Sequence, residues 1–238
     1  MNALIRATRL RSGCTSIQRL VSSSFIGSAS RTRSKVLYIE ASPLKGSSHS
    51  IHLAKAFLTA YGETHPQDEV EVIDLWETEL APFDGATIEA KFAMLRKKVF
   101  TAAQKMKWDA VRAVSQRFNN AGKYIFSVPM WNFSIPYRPK HFIDVVTLVG
   151  ENWSWSKEKG YQSLLSGKKA LLVYASAGDY QPGHSSGFQK PYLRRWLNFI
   201  GVSDIQEINV APTLADADLL ARTKCIAKAA AVELAAAF

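Results

Sequence analysis

The chain has 238 residues, 47% hydrophobic and 21% charged, which is enough material for one substantial domain with a full core. No apolar run approaches the roughly 20 residues that span a bilayer, and two cysteines are too few for a disulfide framework or a cysteine-based metal site. A formal charge of +10 would suggest nucleic-acid binding if it were spread over the fold, but seven of the 30 basic residues crowd into residues 1–35, which contain no acid.

That leader is rich in Arg and Ser, and Ile5, Leu10, Ile17, Leu20 and Val21 permit a basic amphipathic helix. The composition is that of a mitochondrial transit peptide, with a plastid address or a basic tail kept in the cytoplasm as alternatives. A secretory signal is excluded, because Arg9, Arg11 and Arg19 interrupt the apolar core it needs. The expected division is a leader over 1–34 and a domain over 35–238. Residues 36–238 then carry 23 basic against 20 acidic side chains. They show no basic stripe with interleaved aromatics, so nucleic acid is not an expected partner. Cys14 belongs to the leader. Cys225 stands alone in an Ala-rich helix, where packing is its expected role.

The first strand is Val36–Ile39, an apolar run without alternation, as in a strand buried on both faces. Ser42 to Ser50 forms a hydroxyl-rich loop. After it Ile51, Leu53, Ala54, Phe57, Leu58 and Tyr61 recur at helical spacing. Glu69–Leu75 alternates like an edge strand. Thr87 to Asn120 is helical, with a break expected near Lys107–Asp109. Lys123–Val128 is the third strand, stopped by Pro129, and Pro139–Val149 the next helix. Residues 151–166, with Trp153, Trp155 and Tyr161, lack a period and read as a long loop or hairpin that either walls a substrate site or makes a dimer contact. Lys169–Ala175 is the fourth strand. Tyr192–Ile200 is a helix closed by Gly201, Ile205–Val210 the fifth strand, and Asp216–Phe238 the closing helix.

Five alternations of strand and helix predict an α/β fold, a doubly wound, five-stranded parallel sheet with helices on both faces, taken here in the order 2-1-3-4-5. Such sheets bind ligands beyond the carboxyl ends of the strands, where the strand order reverses. The loops after strands one, three and four meet there: Ser42–Ser50, Pro129–Pro136 and Ser176–Asp179. In the first, Ser hydroxyls, free backbone N–H groups and a helix dipole suit a phosphate. Capping is nonetheless the commoner use of such serines. The second holds Trp131, Asn132 and Phe133 between prolines. The third is small enough for its backbone to approach a planar ring. Neither a Walker A loop nor Gly-x-Gly-x-x-Gly follows the first strand. A mononucleotide with one phosphate and a large ring fits better, and FMN is the candidate.

Ser42, the triplet Ser48-His49-Ser50, Met130-Trp131-Asn132-Phe133 and the loop at Ser176 resemble the bacterial FMN-dependent NADH azoreductases, also called NADH:quinone oxidoreductases. The resemblance runs from Lys35 to the last helix and includes Gly167-Lys168-Lys169-Ala170 and Leu197-Asn198-Phe199-Ile200-Gly201. It implies a flavodoxin-like fold. It also implies that Ser42, Ser48 and Ser50 hold the FMN phosphate, with the His49 N–H assisting. Met130, Trp131, Asn132 and Phe133 would line the ring and ribityl chain, and Ser176, Ala177, Gly178 and Asp179 would meet the ring's polar edge. The implied reaction is two-electron, ping-pong reduction of quinones or azo compounds by NADH or NADPH, in a homodimer and without a catalytic side chain. Two residues depart from the family pattern: Trp131 replaces a Tyr, and Ser-Ala-Gly-Asp replaces Ser-Arg-Gly-Gly, which removes a cation at the ring edge. His141 and His184 read as packing residues. A flavodoxin-like FMN carrier docking a redox protein is the alternative, although such carriers are strongly acidic.

Overall fold

The buried runs of the sequence become the middle of a five-stranded sheet, seen in a computed structural model that describes residues 33–181 and 183–238. All but the last two residues of the predicted leader lie outside the described residues. The strands are β1 (Lys35–Glu40), β2 (Glu69–Asp74), β3 (Lys123–Pro129), β6 (Lys169–Ala175) and β7 (Asp204–Val210). They pair in parallel in the order β2-β1-β3-β6-β7, the order expected for a flavodoxin-like fold. β3 and β6 are central and buried along almost their whole length, whereas β2, at an edge, is largely exposed.

The helices are α1 (His49–Thr64), α2 (Gly85–Leu95), α3 (Ala102–Asn119), α4 (Tyr137–Val146), α5 (Gln189–Ile200) and α6 (Ala217–Ala237). Period-2 alternation on β1 divides the core. Leu37, Ile39 and Ala41 face Phe118, Phe142 and Leu197 of α3, α4 and α5. Val36 and Tyr38 face Leu53 and Phe57 of α1 and Ala227, Ala231 and Ala235 of α6. Full burial of each large apolar side chain stabilises the fold by about 1.5–3 kcal/mol.

Register decides where the loops emerge. Val36 pairs with Lys123, Lys123 with Lys169, and Lys169 with Asp204. The strands therefore start level, and their carboxyl ends finish along one edge.

Three expectations need correction. The break in the long helical stretch falls at residues 96–101, not at Lys107–Asp109. Lys97 turns to φ +53, and Thr101 with Gln104 forms a capping box that restarts the helix. Trp108 is instead a buried residue inside α3. Cys225 is exposed, because α6 turns Ala227, Ala231 and Ala235 inward and that stripe leaves position 225 on another face.

The third correction concerns the aromatic segment, an antiparallel hairpin of β4 (Trp153–Ser156) and β5 (Gly160–Ser163). It follows the end of α4 and directly precedes β6. Leu165 N–H donates to Ile200 O at 3.1 Å, in the last turn of α5. Trp153 and Tyr161 pack on Phe199, with ring centroids 5.4 and 5.8 Å away. The hairpin therefore sits at the amino-terminal edge of the sheet, opposite the three loops, and does not wall a site among them.

Candidate functional site

Beyond β1, the Ala41 N–H still pairs with Ser127 O at 3.1 Å. Ser42 is buried, and its Oγ accepts from Leu44 N–H at 3.3 Å. A single 3-10 turn, Lys45–Ser47, then delivers Ser48 to the N-cap of α1. Ser48 Oγ accepts from Ile51 N–H at a long 3.5 Å and lies 3.2 Å from Ser50 Oγ, both hydroxyls being buried. Helix geometry leaves the His49 and Ser50 N–H groups without intrahelical acceptors. Capping and anion binding are thus compatible here. The cap uses one hydroxyl weakly, and two N–H groups and a second hydroxyl remain.

Lys45, at φ +46, does not serve this loop. Its amine pairs with Asp74 and, at 3.4 Å, with Glu77. Although partial burial works to raise it, the Asp74 carboxyl is held below its ordinary value by Lys45 and by the Trp76 N–H.

The loop after β3 is a tight turn. Trp131 N–H donates to Ser134 O at 2.9 Å, and Ser134 N–H returns to Trp131 O at 3.0 Å. The two residues between, Asn132 and Phe133, both have positive φ, +45 and +70, the pattern of a type I′ turn. Asn tolerates that region; Phe there stores strain, and such outliers cluster at functional sites. The turn leaves Phe133 51% exposed and Trp131 38% exposed. A bond of 2.9 Å from Phe188 N–H to Phe133 O holds it in place.

The loop after β6 is pinned to the one after β7. Ser176 O accepts from the Thr213 N–H at 2.9 Å and from its hydroxyl at 3.1 Å. Ser176 Oγ donates to Gly178 O at 2.8 Å. A Cβ on Gly178 would stand 3.3 Å from the Tyr180 ring, so the loop is packed closely on that residue. Asp179 accepts from Gln181 Nε2 at 2.7 Å.

The structure joins the loops unequally. The first and second meet through Trp76, whose Nε1 donates to Ala41 O at 3.1 Å and whose ring lies 5.8 Å from Trp131. The second and third share a ladder step, Met130 N–H to Ala175 O at 2.8 Å. The first and third stand on strands two spacings apart, roughly 10 Å. A molecule touching all three must be elongated, with an anion at one end and a flat group at the other. The buried Ser pair, the exposed aromatic turn and the close-packed Ser176–Asp179 backbone fit FMN. Among the cations near these loops Lys45 is already paired, while Lys190 lines a cleft with Met130 and Tyr180 beside the loop where the family pattern has Arg.

Sequence reasoning missed Trp76, Phe188 and Gln189. Trp76 had a signal, since it follows β2 at the carboxyl edge. Phe188 and Gln189 had none. Gln189 is fully buried, donates to Val128 O at 3.0 Å and leaves its Oε1 without a partner. His141 bonds to Ala81 O at 3.0 Å, and His184 packs edge-on to Tyr180 at 5.1 Å.

Residues 34–232 match the family model described as flavodoxin-like fold. An FMN-dependent NADH:quinone oxidoreductase of Desulfotalea psychrophila is 40% identical over 204 residues, 85% of this chain and 96% of that protein. A relative of the same name from Burkholderia lata is 39% identical over 186 residues, covering 76% of this chain and 88% of its own. The crystal structure of an FMN-dependent NADH-azoreductase from Bacillus anthracis in complex with FMN aligns with a TM-score of 0.74 and 26% identity, over 85% of this chain and 99% of that one. These relatives overturn the mitochondrial localisation expected from the leader. They are bacterial enzymes, and bacteria have no organelle of that kind. An Arg- and Ser-rich stretch without acid specifies a charge pattern, and that pattern alone does not make an import signal.

Proposed function

The chain belongs to the flavodoxin-like family of FMN-dependent NADH:quinone oxidoreductases and azoreductases, and from that premise we propose that residues 35–238 bind FMN and carry electrons in pairs from NADH or NADPH to a quinone or azo compound. The observation that carries this reading is the alignment of three loops on one sheet edge, with buried hydroxyls at one end and a strained aromatic turn beside them. When bound, FMN supplies the hydride acceptance and the two-electron delivery.

The protein's part is to hold and to exclude. Ser42, Ser48 and Ser50, with the N–H groups of His49 and Ser50, meet the phosphate. Donors fixed before the ligand arrives lose little on binding it. Trp131 and Phe133, held by the reciprocal Trp131–Ser134 bonds, present apolar faces to the ring and keep water from it. Asn132 adds an amide at the ribityl chain. Met130 closes the floor beside Ala175. Ser176, Ala177 and Gly178 offer backbone groups to the ring edge, where N–H donors would stabilise developing negative charge. Asp179 opposes that charge where the family pattern has no acid. Assembly as a homodimer belongs to the same proposal, supported by the exposed apolar Phe92, Leu95 and Met106 on α2 and α3. No helix among the described residues is long and apolar enough to cross a membrane.

The test is a visible spectrum of the purified chain, then anaerobic addition of NADH, then a quinone. A flavin band that bleaches with NADH and returns with quinone is the expected result. A band indifferent to NADH would point to an electron carrier, and a colourless protein that refuses added FMN would refute the site.

A further inference from the structure

A small cleft opens between α1 and α6. Its walls carry His49, His52, Lys224 and Lys228 around apolar Leu53 and Val210. The Ser42, Ser48 and Ser50 side chains do not line it, although His49 stands between two of those serines. His49 and His52 stand three residues apart on α1, and Lys224 and Lys228 four apart on α6. The two ammonium groups face each other and repel.

Several lysines of the chain are neutralised locally. Lys35, Lys45, Lys55, Lys107, Lys123 and Lys140 each lie within ion-pair distance of a carboxylate. No carboxylate lines this cleft. His49 Nδ1 is buried and has no hydrogen-bond partner, an unusual state for a buried polar atom. Burial, then Lys224 and His52, hold the His49 imidazole below its ordinary value, so near neutral pH it is uncharged.

We propose that this cleft is a binding site for a phosphoryl group. Two ammonium groups supply charge from α6, and two imidazoles supply directional nitrogens from the first turns of α1. The positive end of the α1 dipole is adjacent. A tetrahedral dianion takes donors from several directions at once, which a planar carboxylate does not, and it cancels the repulsion between Lys224 and Lys228. The apolar rim of Leu53 and Val210 admits whatever organic group carries the phosphate. The site shares His49 with the α1 cap, whose backbone N–H the flavin reading uses, but takes only the His49 side chain, and none of its other side chains belongs to the three loops.

The experiment is calorimetric titration of the full chain, saturated with FMN so that the α1 cap is filled, with inorganic phosphate alone and separately with ADP. Binding of either is expected. Equal affinities identify the phosphoryl group itself as the ligand, and preference for ADP identifies a nucleotide-borne one. Lys224→Ala with Lys228→Ala should weaken binding at least tenfold and leave flavin content unchanged. Lys157→Ala with Lys159→Ala, on the distant hairpin, removes the same charge and should leave the affinity as it was. No binding of either ligand overturns the proposal, as does equal loss in both double variants. Loss of flavin in the native chain bears on the other site alone.

Discussion

Phe133 offers a test in which stability and function move in different directions. Its φ of +70 places a side chain in the left-handed region, at a cost of about 1–2 kcal/mol relative to an unstrained residue. Replacing it by Gly removes the strain and replacing it by Ala does not, while both remove the same half-exposed ring. The ring's contribution therefore cancels in the comparison. Gly loses about 0.5–1 kcal/mol more conformational freedom on folding than Ala, which leaves Phe133→Gly more stable than Phe133→Ala by about 0.5–1 kcal/mol. With a urea dependence of about 2 kcal/mol per molar, the midpoints should differ by roughly 0.3–0.5 M. Flavin retention should fall in both variants, since both lack the ring. An Ala variant as stable as the Gly variant would refute the reasoning, because it would mean that the turn relaxes and that the Trp131–Ser134 and Phe188–Phe133 bonds do not impose the strain.

Other perturbations read other parts of the molecule. Ser48→Ala combined with Ser50→Ala should lower flavin retained through gel filtration by about tenfold or more, the worth of one charge-assisted hydrogen bond, and Asn132→Ala by about two- to tenfold, the worth of a neutral one; unchanged flavin in both would reassign the site. Gly201→Ala should cost on the order of 3 kcal/mol and about 10 °C in Tm, because Gly201 has φ +101 and a Cβ there would lie 2.1 Å from Leu165 O. A loss under 1 kcal/mol would show that the hairpin end is free to shift. Acid should unfold the chain through Asp68, Asp74 and Asp84. Burial tends to raise Asp68, but Tyr61, the Ser34 N–H and Lys123 hold it low, and the Thr87 N–H and Lys107 hold Asp84 at about 2. Folded values below unfolded ones mean that this stability is present above about pH 4 and disappears as pH falls through the folded values. A urea midpoint that is level from pH 5 to 2.5 would contradict that assignment.

The sequence alone determined the architecture. Buried strands without alternation, helices with apolar stripes and right-handed crossovers give a doubly wound parallel sheet, and the 2-1-3-4-5 order of the family it resembles puts the Ser42, Met130 and Ser176 loops on one edge. These signals are legible because they are local: a period of 2 or 3.6, a cap, a Gly after a helix. Tertiary structure decided what depends on partners distant in the chain. The paired positive φ at Asn132 and Phe133 arises only when Ser134 closes the turn and Phe188 holds it. Trp76 matters because the parallel pairing of β1 and β2 sets it against Ala41 and Trp131. The aromatic hairpin went to the amino-terminal edge because α4 runs the length of the sheet before it. The basic cleft exists because α6 returns against α1, across more than 150 residues of chain. Composition records how many lysines there are, and only packing decides which of them meet a carboxylate.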